Sequence, residues 1–442
     1  MIATVLAVVA GCDAAAPERP SVLLVTIDTC RDDHVGASAR GPSRTPHLDA
    51  LGLEGRRIPV AVSPSCFTAP AMTSISTGVY PETHGVLQWG IDGASFGRDG
   101  LAARFRRAGY RTAFVSGHGG LGAILPLTSG FDDFRDLKDA PAPDVTRAAV
   151  DWLARARRDA PSDPVFLWVH YFDPHSPYAP PERSAGGVLR GVPFERWRSE
   201  TLPRLAAEEQ VRALETLYAG EVAEVDRAIG DLLPTVRRSV GSDRLIVAVT
   251  ADHGENLSDH EPRFAHHDAL FDSLVRVPLF LCGPGVKDLP LDERVPVELV
   301  RLAPTLLDLA GLEYRAGDFD RPSLARGPGD GFAYCHSGLQ DSPHAALRSP
   351  SAKVILDLLS GEAVAFDLVA DPSEAAPRDP DSSEAFRGLW SGLRSLRRWM
   401  PERVMDPGAD EALPEDLRAW LEQLGYLGRK SEPSRAQWPK NK

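Results

Sequence analysis

The chain has 442 residues, 43% of them apolar and 25% charged, with a formal net charge of −13. That length suits one large α/β domain with an appendage rather than a single small core. The acidic balance argues against a nucleic-acid footprint, which needs a basic face, yet it permits an anionic substrate held by a metal or a local cationic pocket.

Read from the start, Ile2–Ala10 is apolar, too short to span a bilayer, and fits the hydrophobic part of an export signal. Val9-Ala10-Gly11-Cys12 resembles a lipoprotein cleavage box, so residues 1–20 read as a signal and tether. Export to the cell envelope or periplasm is expected, with a possible membrane tether through Cys12. No Lys or Arg precedes the apolar stretch, so a cytoplasmic chain stays as the alternative.

From Ser21 to about Leu312, apolar strands alternate with helical stretches, which predicts a mainly parallel sheet with helices on both faces. Strands are expected at Ser21–Ile27, Arg111–Ser116, Val165–Val169 and Leu245–Thr250. Helices are expected at Ala71–Thr77, Asp99–Ala108, Val145–Arg157, Ala206–Leu233 and Glu298–Ala310. Ser176–Gly187 is rich in Pro, Gly and Ser and reads as loop. After Gly311 the texture changes. Short strands at Phe332–Cys335, Ala352–Leu358 and Ala363–Leu368 and a helix at Ser383–Trp399 predict a small C-terminal antiparallel-sheet subdomain. The domain reading is 21–315 catalytic, 316–400 C-terminal subdomain, and 401–442 a helix at Pro414–Leu424 plus a disordered tail. Cys30, Cys66, Cys282 and Cys335 show no metal-ribbon spacing and read as small buried thiols.

Each of the four long strands runs into acid or histidine: Asp28; His118; His170, Asp173 and His175; Asp252 and His253. Ligands of open α/β sheets bind outside the carboxyl ends of the strands, so this edge is a candidate site. Thr68 stands just before the Ala71–Thr77 helix. There it would either cap the helix or serve as a nucleophile in the field of the helix N-terminus. A free threonine hydroxyl is weak, so the second role needs a metal.

The segments VLLVTIDTCRDDHVG, TPHLDAL, TAPAMTSISTGVYPETHGV, VHYFDPHSPYAPP and VTADHGE, in this order, resemble the sulfatase family of the alkaline phosphatase superfamily. The resemblance continues through GFDDF, YAGEVAEVD, RVPLFLCGPG, LAPTLLDLAGL and FDLVADPSE. It implies an alkaline-phosphatase-like α/β fold and a metal-dependent hydrolase of sulfate or phosphate-type esters. It also implies metal ligands at Asp28, Thr68, Asp252 and His253. Formylglycine sulfatases carry the nucleophile as a modified Cys in C-x-P-S-R. Here the matching residues are Thr68, Ala69, Pro70, Ala71 and Met72, and Cys66 lies two residues too early. Thr68 is therefore the expected nucleophile, and formylglycine is not expected.

Many sulfatases have two adjacent acids on the first strand, whereas the second here is Thr29. One divalent metal is expected, calcium by family resemblance, with magnesium, manganese or zinc also compatible with the donors. Asp173 and His175, with His266 or His267, supply part of a second metal set, but the Asp-x-His spacing departs from that of two-metal phosphodiesterase relatives. The resemblance points to His175 and His267 as catalytic and to His118, Asp173 and His266 as substrate-binding. His170, His34 and His84 read as structural. Two other classes compete with the hydrolase: a phosphoryl or phosphoalcohol transferase modifying envelope lipids or polymers, and a noncatalytic binding protein retaining the fold. Oligomeric state is not readable.

Overall fold

The computed structural model describes residues 19–36, 45–87, 99–261, 263–266, 269–337 and 343–397. The leader with Cys12, His267, the Pro414–Leu424 helix and the polar tail lie outside the described residues. Among the described residues no helix is long and apolar enough to cross a membrane.

Seven strands form the main sheet: β1 (Ser21–Ile27), β2 (Arg56–Arg57), β4 (Arg111–Ser116), β5 (Asp133–Asp136), β6 (Val165–Tyr171), β7 (Leu245–Ala251) and β9 (Leu279–Cys282). Their order is β2-β9-β7-β1-β6-β4-β5. β7, β1, β6, β4 and β5 run parallel, and β9 and β2 close one edge antiparallel. β1, β6 and β7 are buried at every residue, as continuous apolar runs between two helical layers must be. A second sheet joins β3 (Ala61–Val62), β8 (Arg276–Val277) and β10 (Val297–Glu298). The third is antiparallel, β11 (Ala333–His336), β12 (His344–Arg348), β13 (Ala352–Asp357) and β14 (Ala363–Asp367) in sequential order.

Register places the candidate site. Ile27 pairs with Tyr171 on one side and Ala251 on the other. Asp28, Phe172 and Asp252 therefore leave the sheet at one level. Ten residues of helix Thr68–Thr77, all buried, run into the same region, and Gly78 ends that helix at φ 70°, where a side chain would strike the Phe319 ring. The long helices Ala142–Asp159 and Ala207–Val240 pack against each other on one face.

The C-terminal sheet is apolar on both faces, as period-two alternation allows. One face meets Phe386, Leu389 and Leu393 of helix Glu384–Arg397. The other sends Cys335, Ala346, Ile355 and Phe366 against Val62, Cys66, Leu270, Phe271, Leu274 and Val275.

Two expectations change. The helix expected at Glu298–Ala310 begins later, at Leu302, because Glu298 pairs in β10 and accepts hydrogen bonds from Tyr80 Oη and the Tyr334 amide. β12 was not expected, since HAALR carries two alanines and no β-branched residue. Its pairing with β11 and β13 supplies what local propensity lacks. Cys30, Cys66, Cys282 and Cys335 are buried and form no disulfide among the described residues.

Candidate functional site

Asp28 follows β1, and Asp252 and His253 follow β7. Their ligating atoms lie within 4.8 Å of one another, and all three residues are fully buried. Among the described residues this is the one such group of three metal-capable side chains. Asp252 Oδ1 accepts the amides of Thr29 (3.2 Å) and His253 (2.8 Å). Thr29 adopts φ 50°, a left-handed turn that aims its amide at Asp252. The remaining oxygens, Asp28 Oδ1 and Asp252 Oδ2, have no hydrogen-bond partner among the described residues. Buried polar atoms are rarely left so.

The histidine is oriented in the same sense. His253 Nδ1 donates to the Gly254 carbonyl at 2.9 Å, so the neutral ring carries its lone pair on Nε2. That nitrogen lies 3.9 Å from Asp28 Oδ1, 3.5 Å from Asp252 Oδ2 and 3.1 Å from Thr68 Oγ1. Two unpartnered carboxylate oxygens, an imidazole lone pair and a hydroxyl converge on one point. This donor set fits a divalent cation: the oxygens suit calcium, magnesium or manganese, and the imidazole extends the range to zinc. Burial, and then the Asp252 charge, push the Asp28 carboxyl well above the usual carboxylate range, as expected for acids gathered without their counter-ion.

Thr68 is not a cap. It is the first residue of its helix, Phe67 precedes it at the cap position, and the Thr68 hydroxyl turns to His253. Cys66 instead joins the apolar cluster with Leu270, Phe271 and Cys335.

Four more histidines ring the acids. His170, read as structural, reaches Asp28 Oδ2 through Nε2 at 3.3 Å, while Nδ1 meets Thr26 Oγ1 at 2.9 Å. Trp168 Nε1 donates to that same hydroxyl, so a chain of bonds fixes both the His170 tautomer and the Asp28 carboxylate. The His118 ring lies 6.1 Å from His170 and 4.8 Å from Phe172. Phe172 stacks on His175 at 4.6 Å, and His266 stands 5.1 Å from His175 and 4.8 Å from His253. His175 Nδ1 donates to the Ser176 carbonyl at 2.7 Å. Burial, and then His266, push its imidazole down to about 3. His118 is likewise driven well below its ordinary value, by burial and then His170.

Asp173 takes another place from the one expected. Its Oδ1 accepts the Ala142 amide at 2.8 Å, at the start of helix Ala142–Asp159. One oxygen thus holds that helix end, and Oδ2 has no partner among the described residues. Glu255, by contrast, carried no expectation. It is fully buried, takes the Tyr178 hydroxyl on Oε2 at 3.1 Å, and lies 3.2 Å from His266 Nδ1. Its signal was its place in VTADHGE, two residues beyond His253. Arg31 joins the loops after β1 and β7, bonding Asp33 and the Glu255 carbonyl. His34 pairs with Asp33, and His84 holds Ser74 and the Val86 amide.

With this geometry in place, comparisons with known proteins converge. The sequence model of the family described as Sulfatase matches residues 20–312. An arylsulfatase of Clostridium perfringens is 24% identical over 453 residues, spanning 80% of this chain and 89% of its own. Among solved structures, a protein in complex with its substrate D-glucosamine-2-N,6-O-disulfate superposes with TM-score 0.67 at 18% identity, over 89% of this chain and 100% of that one. The phosphonate monoester hydrolase of Agrobacterium radiobacter superposes with TM-score 0.63 at 21% identity, over 88% and 97%. The chain belongs to the sulfatase family, and its alkaline-phosphatase-like fold is that of these neighbours.

Proposed function

We propose that this sulfatase-family hydrolase cleaves a sulfate or phosphate-type ester with Thr68 as nucleophile, and that Asp28, Asp252, His253 and Thr68 hold one divalent cation. One observation carries the reading: the Thr68 hydroxyl stands 3.1 Å from His253 Nε2, at the point where two buried carboxylate oxygens lack partners. When bound, such a cation supplies Lewis-acid polarisation of the ester and a lowered hydroxyl pKa.

Thr68 enters as the alkoxide and attacks the central atom in line. The bond to Thr68 Oγ1 forms as the bond to the leaving oxygen breaks. The leaving oxygen takes a proton from an imidazolium, His175 or His267. His175 already spends its Nδ1 proton on Ser176, so only its charged form donates from Nε2. An anionic ester beside the ring favours that form. Water then gives a proton to the neutral imidazole and attacks the adduct, the bond to Thr68 Oγ1 breaks, and Thr68 leaves as the alkoxide. A sulfo-threonine has no hydrate-elimination route for release, whereas a phospho-threonine is open to attack by water. The chemistry therefore favours a phosphorus ester, and the likeness to a phosphonate monoester hydrolase supports it. The arylsulfatase relative and the glucosamine-disulfate neighbour keep sulfate esters in the range.

The test is direct. The purified chain is supplied with single divalent metals and assayed on nitrophenyl sulfate, phosphate, phosphodiester and phosphonate esters and on a sulfated glucosamine. Turnover with a trapped adduct on Thr68 supports the reading. Sulfate turnover that survives Thr68→Ala but not Cys66→Ala overturns it, and a glycerol ester formed in glycerol marks transfer instead of hydrolysis.

A further inference from the structure

Residues 270–272 are anchored from outside the catalytic sheet. Lys353 of β13, with a fully buried side chain, donates from Nζ to the Leu270 carbonyl at 2.9 Å. The same Nζ lies 2.6 Å from Asp272 Oδ1 and 2.9 Å from Glu374 Oε1, both within ion-pair distance. Arg348 of β12 forks onto Asp272, through Nε at 3.1 Å and Nη2 at 3.0 Å. Glu374, just past β14, is buried at φ 54° and accepts the Asp272 amide. Two cations and two anions balance, and three parts of the C-terminal subdomain converge on residues 270–272.

That same stretch backs the metal turn. The Gly254 amide donates to the Leu274 carbonyl at 2.7 Å, and a Cβ at Gly254 would lie 2.1 Å from the Ser273 carbonyl oxygen. Only a glycine permits this approach. The turn Asp252–Gly254 is thus referred to residues 270–275.

We propose that Lys353, with Arg348, Asp272 and Glu374, is a positioning device: the C-terminal sheet sets the place of the metal-ligand turn by fixing residues 270–275 behind it. Lys353 touches no reacting atom and is a positioning residue, not a catalytic one. Apolar packing would hold the two layers together. The directional ion pairs add a defined register of residues 270–272 on β12 and β13. The part of this inference that concerns metal affinity rests on the reading of Asp28, Asp252 and His253 as a metal centre.

The experiment compares Lys353→Met and the charge-balanced pair Lys353→Met/Glu374→Gln with the full-length chain. Leu389→Ala, on the opposite face of the C-terminal sheet, is the control for lost stability alone. Readouts are cooperative melting, kcat and KM on the best nitrophenyl ester, and the Kd for manganese by calorimetry. The balanced pair is expected to melt cooperatively, to lose about tenfold in kcat with KM changed much less, and to bind manganese about tenfold more weakly. Leu389→Ala is expected to lower the melting temperature and leave kcat and Kd unchanged. A folded balanced pair with wild-type kcat and Kd overturns the proposal. So does an equal kcat loss in Leu389→Ala, or failure of both Lys353 variants to fold, since each reduces the cluster to plain stability. If the wild-type chain binds no manganese, the metal-centre reading fails by itself, and the kcat-against-KM split still decides the positioning role.

Discussion

Two buried charged clusters flank the stretch from Asp252 to Val275, and they are built on opposite rules. At Asp28, Asp252 and His253, two carboxylate oxygens lack a partner among the described residues. At Lys353, Asp272, Arg348 and Glu374, each charge faces an opposite one. Electrostatics follow the difference. Burial, then Asp252, pushes the Asp28 carboxyl up, whereas Asp272, although buried, is held below the usual carboxylate range by Arg348 and Lys353; Glu374, with Lys353 as its one cation, is still pushed up to about 7 by burial. A buried charge is costly unless paired. An open cluster accepts that cost and keeps the capacity to bind; a closed one spends its valence on fixing position. The two clusters share one strip of backbone, which is how a closed set can serve an open one.

The sharpest way to break the comparison is to remove the hydroxyl at the open cluster. Thr68→Ala is expected to cut kcat by at least about 10³-fold with the fold intact, as loss of a nucleophile does, with Thr68→Ser keeping part of the rate. Initial rates with metal present decide it, and undiminished turnover would remove the reaction from this cluster. Next comes the closed cluster. Arg348→Met leaves Asp272 and Glu374 buried with one cation, and a stability loss of about 3–5 kcal/mol is expected from urea unfolding. A loss under about 1 kcal/mol would show that the cluster is not closed in solution.

His84 sharpens the contrast as a buried group held by neutral partners, Ser74 and the Val86 amide. Burial pushes its imidazole down to about 3 from an ordinary 6.5. A folded value below the unfolded one means the unfolded chain binds the proton first. This contribution is complete above pH 6.5 and is lost as pH falls toward 3. By pH 5 the loss is on the order of 2 kcal/mol, and His84→Gln is expected to abolish that share of acid sensitivity in unfolding curves at pH 7 and 5. The smallest effect is the most diagnostic. In metal-free buffer Asp28→Asn removes one of two repelling acids and is expected to stabilise the chain by about 1 kcal/mol. With cation at a hundred times its Kd the order reverses, since the wild type alone gains about 2.7 kcal/mol. Destabilisation in both buffers would mean that the cluster is not open.

Much of the catalytic layer was legible before folding was considered. β1 and β4 fall on the expected residues, and β6 and β7 only extend them. Asp28, Asp252 and His253 converge as the segment order suggested. His170 was read only as structural, and Glu255 carried no expectation. Their relation to Asp28 and His266 runs across 142 and 11 residues respectively, and no local pattern encodes it. β12 was hidden because its pairing, not its propensity, makes it a strand. The Lys353 cluster was hidden because a lysine inside an apolar strand reads as a solvent-facing residue until its partners are brought to it.

By itself the sequence determined where the long buried strands lie, which of their ends carry acid or imidazole, and which family the order of motifs belongs to. These are properties of residue type and short spacing, which survive in an extended chain. The tertiary structure decided which of those groups are spoken for. Asp28 and Asp173 are both acids one or two residues beyond a buried strand. Each keeps one oxygen unpartnered among the described residues, but Asp28 keeps it beside Asp252 and His253, while Asp173 spends its other oxygen on the first amide of a helix. Partnership is set by what other parts of the chain bring within about 3 Å, and only the packed fold brings them.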